Sequence, residues 1–195
     1  MKVNIRPIQG NWDLGFAMDK HSFRSEVVGY YDNGRPRWNT LRTEVGEALY
    51  QLKYQYDWNQ VEPLAQCLYA NAFPLFQGVQ LIIPMAASNP RNRQPVSAIA
   101  EALADKIDPN MNSFDGLIVK QTGGPALKDL HTREEKLAAV AGMFSYQPLI
   151  SSEGAYNALV IDDLYHTGAS MEAAVAALRG YDKINKIYVA TLTWK

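Results

Sequence analysis

The segment Leu159-Val160-Ile161-Asp162-Asp163-Leu164-Tyr165-His166-Thr167-Gly168-Ala169-Ser170 decides how the whole chain is read. It begins in an apolar run, Ala158-Leu159-Val160-Ile161, of the kind that forms a strand buried on both faces. Two adjacent carboxylates close the run. A short loop with Thr167, Gly168 and Ser170 then opens onto an alanine-rich stretch, residues 169 to 179, that reads as a helix. Carboxylates grip hydroxyls through charge-assisted hydrogen bonds. A helix start offers a phosphate unpaired N–H groups and a favourable dipole. Gly168 allows close backbone approach, and the two hydroxyls add donors. Such a diol grip, one loop away from a phosphate nest, describes a cradle for ribose 5-phosphate. In other α/β folds the same order of residues is a plain strand end followed by a helix cap.

Similar apolar runs occur at residues 79 to 84 (Val79 to Pro84), at Gly116-Leu117-Ile118-Val119-Lys120 and at Ile187 to Leu192. Helical spacing appears over residues 42 to 57 (Val45, Leu49, Leu52, Tyr56), 61 to 71 (Val61, Leu64, Ala65, Leu68) and 96 to 105 (Val96, Ile99, Ala100, Leu103), with a further helix expected over 133 to 143. From residue 79 onward strands and helices alternate. This predicts an α/β fold, a mostly parallel twisted sheet with helices on both faces. Ligands of such sheets bind beyond the carboxyl ends of the strands, so the chemistry is expected just after residues 84, 120, 161 and 192.

Before residue 40 the chain is aromatic and rich in turns. Asp32-Asn33-Gly34 between apolar stretches predicts a β-hairpin over residues 26 to 39, with positive φ at both Asn33 and Gly34. The chain is therefore divided into a small β-rich N-terminal embellishment or hood, residues 1–40, and an α/β domain, residues 41–195. Trp12, Phe16, Tyr30, Tyr31 and Trp38 are either the core of a small hairpin layer or a hood that stacks a ring. Trp194, after the last strand, is a further candidate for that hood.

The 195 residues are 47 % hydrophobic, enough for a real core. The net charge of −1 shows no basic excess, so nucleic acid is not an expected partner. Cys67 is the one cysteine, which excludes an internal disulfide and a thiolate zinc cluster. A lone cysteine fits a reducing compartment, and Cys67 is read as buried packing. No stretch is apolar enough to span a bilayer, and a cytoplasmic location is expected.

The segment from Ile161 to Ser170 resembles the signature with which type I phosphoribosyltransferases bind phosphoribosyl pyrophosphate (PRPP). An apolar run is followed by two acids, three variable residues, Thr-Gly, one residue, then Ser or Thr. Looser likenesses point to the ComF-like, competence-associated branch over about residues 40 to 195. They are Leu52-Lys53-Tyr54, the segment Pro84 to Gln94 with Asn89-Pro90-Arg91-Asn92-Arg93-Gln94, and the charged helix ending near Phe144. Members of that branch often begin with a zinc module of cysteines, where this chain has its hairpin.

The resemblance implies a pentosyltransferase that moves phosphoribose from PRPP to a nitrogenous acceptor and releases pyrophosphate, as in nucleotide metabolism. It implies that Asp162 and Asp163 hold the ribose hydroxyls. Tyr165, His166, Thr167, Gly168, Ala169 and Ser170 would hold the 5-phosphate, and Met85, Ala86, Ala87 and Ser88 the pyrophosphate. Small residues in that last loop let backbone N–H groups approach an anion. Magnesium is expected through ligand and water rather than a protein cage. A basic loop from Gln121 to Arg133, with Lys120, Lys128, His131 and Arg133, is either a catalytic lid or an ordinary solvated loop. Arg91 and Arg93 would clamp pyrophosphate or pair with surface carboxylates. His166 departs from the usual small residue and could donate to phosphate or exchange a proton with the acceptor. A homodimer is compatible with the class. The rival readings are a PRPP- or nucleotide-binding regulatory module without turnover, and an accessory factor in DNA uptake or repair.

Overall fold

The computed structural model describes residues 1–89, 91–121, 132 and 142–195. In chain order the elements are β1 (Arg6–Pro7), β2 (Leu14–Lys20), β3 (Ser22–Tyr30), β4 (Pro36–Arg42), α1 (Glu44–Tyr54), α2 (Val61–Asn71), β5 (Leu81–Pro84), α3 (Pro95–Ile107), β6 (Asn112–Ser113), β7 (Ile118–Lys120), β8 (Phe144–Tyr146), β9 (Tyr156–Tyr165), α4 (Ala169–Leu178) and β10 (Ile184–Trp194). Single 3₁₀ turns flank α2. Six strands form the main sheet in the order β1-β2-β10-β9-β5-β6. All neighbours in it are parallel except β1, which runs antiparallel on the edge. Among the described residues no helix is long and apolar enough to cross a membrane.

Strand periodicity explains the layers, because successive side chains leave a strand on opposite faces. Leu159 and Ile161 of β9, with Ile82 of β5 and Tyr188, Ala190 and Leu192 of β10, pack under α1, α2 and α3 through Leu49, Leu52, Leu64, Leu68, Ile99 and Leu103. Ala158 and Val160, with Leu81, Ile83, Ile187 and Val189, pack on the other face under α4 through Met171, Ala174, Val175 and Leu178. The expected α/β architecture with helices on both faces is the observed one, and the continuous apolar runs of β5, β9 and β10 are its consequence. Cys67 is buried in the first of these layers, and that burial pushes its thiol up to about 11.

Thr43 joins the hairpin to α1 and sets where that helix begins. Its side chain, 2 % exposed, accepts from Gly46 N–H at 3.0 Å and donates to the Lys20 carbonyl at 2.6 Å. Thr43→Ala removes the N-cap and the hydroxyl that bonds the Lys20 carbonyl. It should lower stability by about 1–2 kcal/mol, read as a shift in the urea midpoint with an unchanged slope. An unchanged midpoint would mean that the cap carries nothing.

Three parts of the structure differ from the sequence reading. The run Gly116 to Lys120 does not enter the main sheet. Leu117 and Ile118 are buried as expected, but β7 pairs antiparallel with β8 in a sheet of its own, and the two residues of β6 take the place beside β5. Residues 6–7 and 14–20, placed with the N-terminal embellishment, are strands of the main sheet, with β2 lying parallel to β10. What stands apart from that sheet is the hairpin β3–β4, which extends over residues 22 to 42. Its turn needs positive φ at one residue only. Gly34 has φ 76° after Asp32 and Asn33, and Asn33 keeps a negative φ. The loop Tyr31 to Arg35, closed by Gly34 N–H on the Tyr31 carbonyl at 2.8 Å, has the longer form that ends on a left-handed glycine. The aromatic residues separate accordingly. Trp12 is buried and donates to the Ile8 carbonyl at 3.0 Å, whereas Tyr30 and Trp38 on the hairpin are 72 % and 57 % exposed. The helix expected over 133 to 143 lies outside the described residues except for Gly142 and Met143, which are not helical.

Candidate functional site

β5 stops at Pro84, level with Ile161, while β9 continues to Tyr165 alongside β10. Asp162 and Asp163 are therefore not loop residues. They belong to β9, at the height where its β5 neighbour has ended and the sheet opens. Neighbours on a strand take opposite faces. Asp162 has the parity of Val160, toward α4, and Asp163 the parity of Ile161, toward α1. Both line one cavity of about 550 Å³. That volume suits a small-molecule ligand.

The two carboxyls live in different fields. Lys53, near the end of α1, forms an ion pair with Asp163, the two side chains being 30 % and 14 % exposed. Burial works against the Lys53 charge, but the Asp163 carboxylate outweighs it and holds the ammonium above its ordinary range. Asp162 accepts the Asp163 N–H at 2.8 Å. Burial first, and the Asp163 charge second, push its carboxyl up to about 8. On its side of the sheet stands Lys120 of β7, which donates to Ser88 at 2.9 Å and is held below its ordinary range by burial, against the pull of Asp162.

The sign of the resulting pH effect follows. The Asp162 carboxyl titrates near 3.8 without burial and near 8 in the fold, so between these values the folded chain holds a proton that the unfolded chain has lost. Its contribution to stability is whole below the lower value and disappears as the pH rises through the upper one. Urea denaturation of the wild type at pH 5 and pH 9 should show this loss. Asp162→Asn, which cannot ionise, should remove most of it. An equal loss in the variant would mean that Asp162 is not the group responsible.

The loop after β9 closes the other end of the cavity. Gly168 adopts φ 80° and caps α4 with no side-chain hydrogen bond, so the first turn of that helix faces the cavity with backbone N–H groups. Thr167 and Ser170 line the same wall, as do Met85, Ala86, Ala87 and Ser88 beyond β5. His166 is exposed at the rim. Tyr165 lines the cavity as well. Its hydroxyl donates to the Gln9 carbonyl at 3.3 Å, and its ring stands perpendicular to that of Trp12.

The paired arginines part company. Arg91 lines the cavity and donates to the Lys53 carbonyl at 2.9 Å. Arg93 lies over the Trp58 ring at 4.2 Å and outside the cavity wall, so the structure does not bring it to the site. Planar stacking on an indole competes effectively for a weakly hydrated guanidinium. Lys128, His131 and Arg133 lie outside the described residues. Trp194 stacks against Arg6 at 3.9 Å rather than lining the cavity.

Four residues at or behind the site carried no assigned role in the sequence reading. Lys53 and Lys195 line the cavity directly. Behind Asp163, His21 Nδ1–H donates to Thr193 at 3.2 Å, and the Thr193 hydroxyl in turn donates to the Asp163 carbonyl at 2.8 Å. Burial and then the Lys195 and Arg42 charges keep His21 below its ordinary range, which favours the neutral ring. No local spacing links these residues to the acidic pair; a lysine in an amphipathic helix ordinarily reads as a solvated position.

No family model matches the chain, and no curated protein matches it in sequence. Among solved structures the chain is similar to a hypoxanthine phosphoribosyltransferase from Staphylococcus aureus, at 18 % identity and a TM-score of 0.42 over 69 % of this chain and 63 % of that one. It is also similar to the UMP synthase of Leishmania donovani, at 12 % identity and a TM-score of 0.42 over 88 % of this chain and 29 % of that one. An adenine phosphoribosyltransferase from Leishmania donovani gives 9 % identity and a TM-score of 0.43 over 98 % of this chain and 86 % of that one. The chain thus spans less than two thirds of the length of the first two. Likenesses this distant assign it no substrate.

Proposed function

We propose that the cavity binds PRPP and that the chain transfers its phosphoribose to a nitrogenous acceptor with release of pyrophosphate. One observation supports this best. A single cavity at the carboxyl ends of β5 and β9 has an acidic pair on its floor and the glycine-headed start of α4 on one wall, with a loop of small residues, Met85 to Ser88, on the other. A diol, a terminal phosphate and a second anion can be met at once by groups of these kinds.

In this reading Asp162 and Asp163 take the ribose hydroxyls, and the first turn of α4 with Thr167 and Ser170 takes the 5-phosphate. The Met85 to Ser88 loop receives the pyrophosphate, with Arg91, Lys120 and Lys195 as cations around it. The acceptor nitrogen gives its lone pair to the anomeric carbon, and the bond to pyrophosphate breaks with its electron pair leaving on the phosphate oxygen. Charge then builds on the leaving group and positive character on the sugar, so cations set in place beforehand favour the transition state. The proton shed by the acceptor nitrogen goes to a base at the rim, where His166 stands.

Among the described residues no cluster of three or more His, Cys, Asp or Glu could cage a metal, and of the two carboxyls present one is engaged by Lys53. This donor set suits magnesium carried on the ligand's own oxygens, where it would neutralise the pyrophosphate. The ComF-like likeness bears on the branch alone; the acceptor follows from a screen.

Titration calorimetry with PRPP, with and without magnesium, should show one molecule bound per chain. Pyrophosphate should appear when a panel of free bases and simple amines is added. Binding without pyrophosphate release from any of them would favour a regulatory module, and no binding to the folded protein would sink the reading.

A further inference from the structure

We infer that Lys53 is the resident counter-cation of the acidic pair, placed on Asp163 so that the protein meets its ligand with this carboxylate already neutralised and with no divalent ion bound directly to it. The inference deepens the PRPP reading, on which only its ligand half rests.

Two adjacent acids in a half-closed cavity need a cation or a proton. Here each has a lysine on its own face of the sheet. Lys53 pairs with Asp163 from the α1 side, and Lys120 stands toward Asp162 from β7. Lys53 differs from a surface lysine in how it is held. Arg91, from the loop beyond β5, donates to its carbonyl, tying the end of α1 to the cavity wall. The Asp163 main chain is fixed in turn through its carbonyl by Thr193 and through its N–H by Asp162. The main chains that carry the two side chains are thus fixed by Arg91, Thr193 and Asp162, and the ion pair itself holds the side chains together.

The consequence concerns charge. A divalent ion has high affinity only where several anionic oxygens converge. With an ammonium already on Asp163, an incoming ion meets like charge at short range instead. A ligand diol loses nothing by this, since a carboxylate oxygen that accepts from lysine can also accept from a hydroxyl. Lys53 is therefore a positioning residue for the diol grip and a barrier to metal bound directly by the protein.

The test uses two probes. Free Mn²⁺, followed by electron paramagnetic resonance in the absence of PRPP, should bind the wild type weakly and Lys53→Met at least about tenfold more tightly, the size that outer-sphere changes have at metal sites. Lys53→Arg, which keeps the charge, should behave as the wild type. The gain should vanish in Lys53→Met combined with Asp163→Asn. Equal Mn²⁺ affinity in wild type and Lys53→Met, or a gain that survives the loss of Asp163, would overturn the inference. The second probe is PRPP without metal. Lys53→Met should bind it roughly tenfold more weakly than wild type, and added magnesium should close most of that gap. A wild type that binds no PRPP would defeat the functional reading but leave the Mn²⁺ result standing, so the two failures are distinguishable.

Discussion

Asp162→Asn together with Asp163→Asn should leave the fold standing and weaken PRPP binding by about a hundredfold or more. The Asp163 carboxylate gives the ligand a hydrogen bond to a charged acceptor, worth about 1.5–3 kcal/mol, and the Asp162 carboxyl adds a neutral one worth about 0.5–1.5 kcal/mol, which together reach about that factor. The fold should survive for a local reason. Asp162 is a carboxyl whose ionisation the site already resists, so a neutral amide relieves strain there. Loss of the Asp163 charge frees Lys53, whose side chain is 30 % exposed and can turn toward water. The measurements are calorimetry with PRPP and circular dichroism with urea denaturation on the same preparation. A folded double variant with wild-type affinity would place the ligand elsewhere.

Gly168→Ala should damage both stability and phosphate binding. Gly168 sits at φ 80°, and a Cβ there would lie 3.0 Å from Cε2 and 3.1 Å from the hydroxyl of Tyr165. A side chain in this left-handed region costs about 1–3 kcal/mol. The Tyr165 ring cannot yield freely, because its hydroxyl is bonded to the Gln9 carbonyl and its ring stands perpendicular to that of Trp12. The same methyl would stand at the mouth of the helix start, where a phosphate must approach the backbone closely. The expected result is a urea midpoint lowered by that amount and an affinity for ribose 5-phosphate lowered roughly tenfold or more. Ser170→Ala is the control, since it removes one hydroxyl donor without backbone strain. Lower stability with unchanged phosphate affinity would refute the nest; unchanged stability would refute the strain.

The apolar runs at residues 81–84, 158–161 and 187–192 are strands in the structure because a chain of Val, Ile, Leu and Ala with no polar face has to be covered on both sides. The helices over 44–54, 61–71 and 95–107 are visible for the complementary reason, a one-sided apolar stripe, and that over 169–178 by its alanine content. Gly116 to Lys120 shows where that logic stops. Its burial was legible, its partner was not, since periodicity describes one segment and pairing is a relation between two. Residues 14–20 were missed in the same way. Leu14-Gly15-Phe16-Ala17-Met18 is a short apolar run, but the aromatic and turn-rich sequence around it reads as an appendage, and only its pairing with β10 makes it sheet.

The sequence by itself determined that the acidic pair, the glycine-led helix start and the small-residue loop meet at one cavity. Each follows a strand end, and strand ends of a parallel sheet converge. Tertiary structure alone decided how those parts are charged. Lys53 and Asp163 are 110 residues apart, and their ion pair exists because α1 packs on the face that the parity of Asp163 selects. Arg93, two residues from an arginine that does line the cavity, is withdrawn by the Trp58 ring. Local pattern encodes which face a residue takes. What waits on that face is supplied by the rest of the chain, through contacts whose strength depends on burial and distance and leaves no period in the sequence.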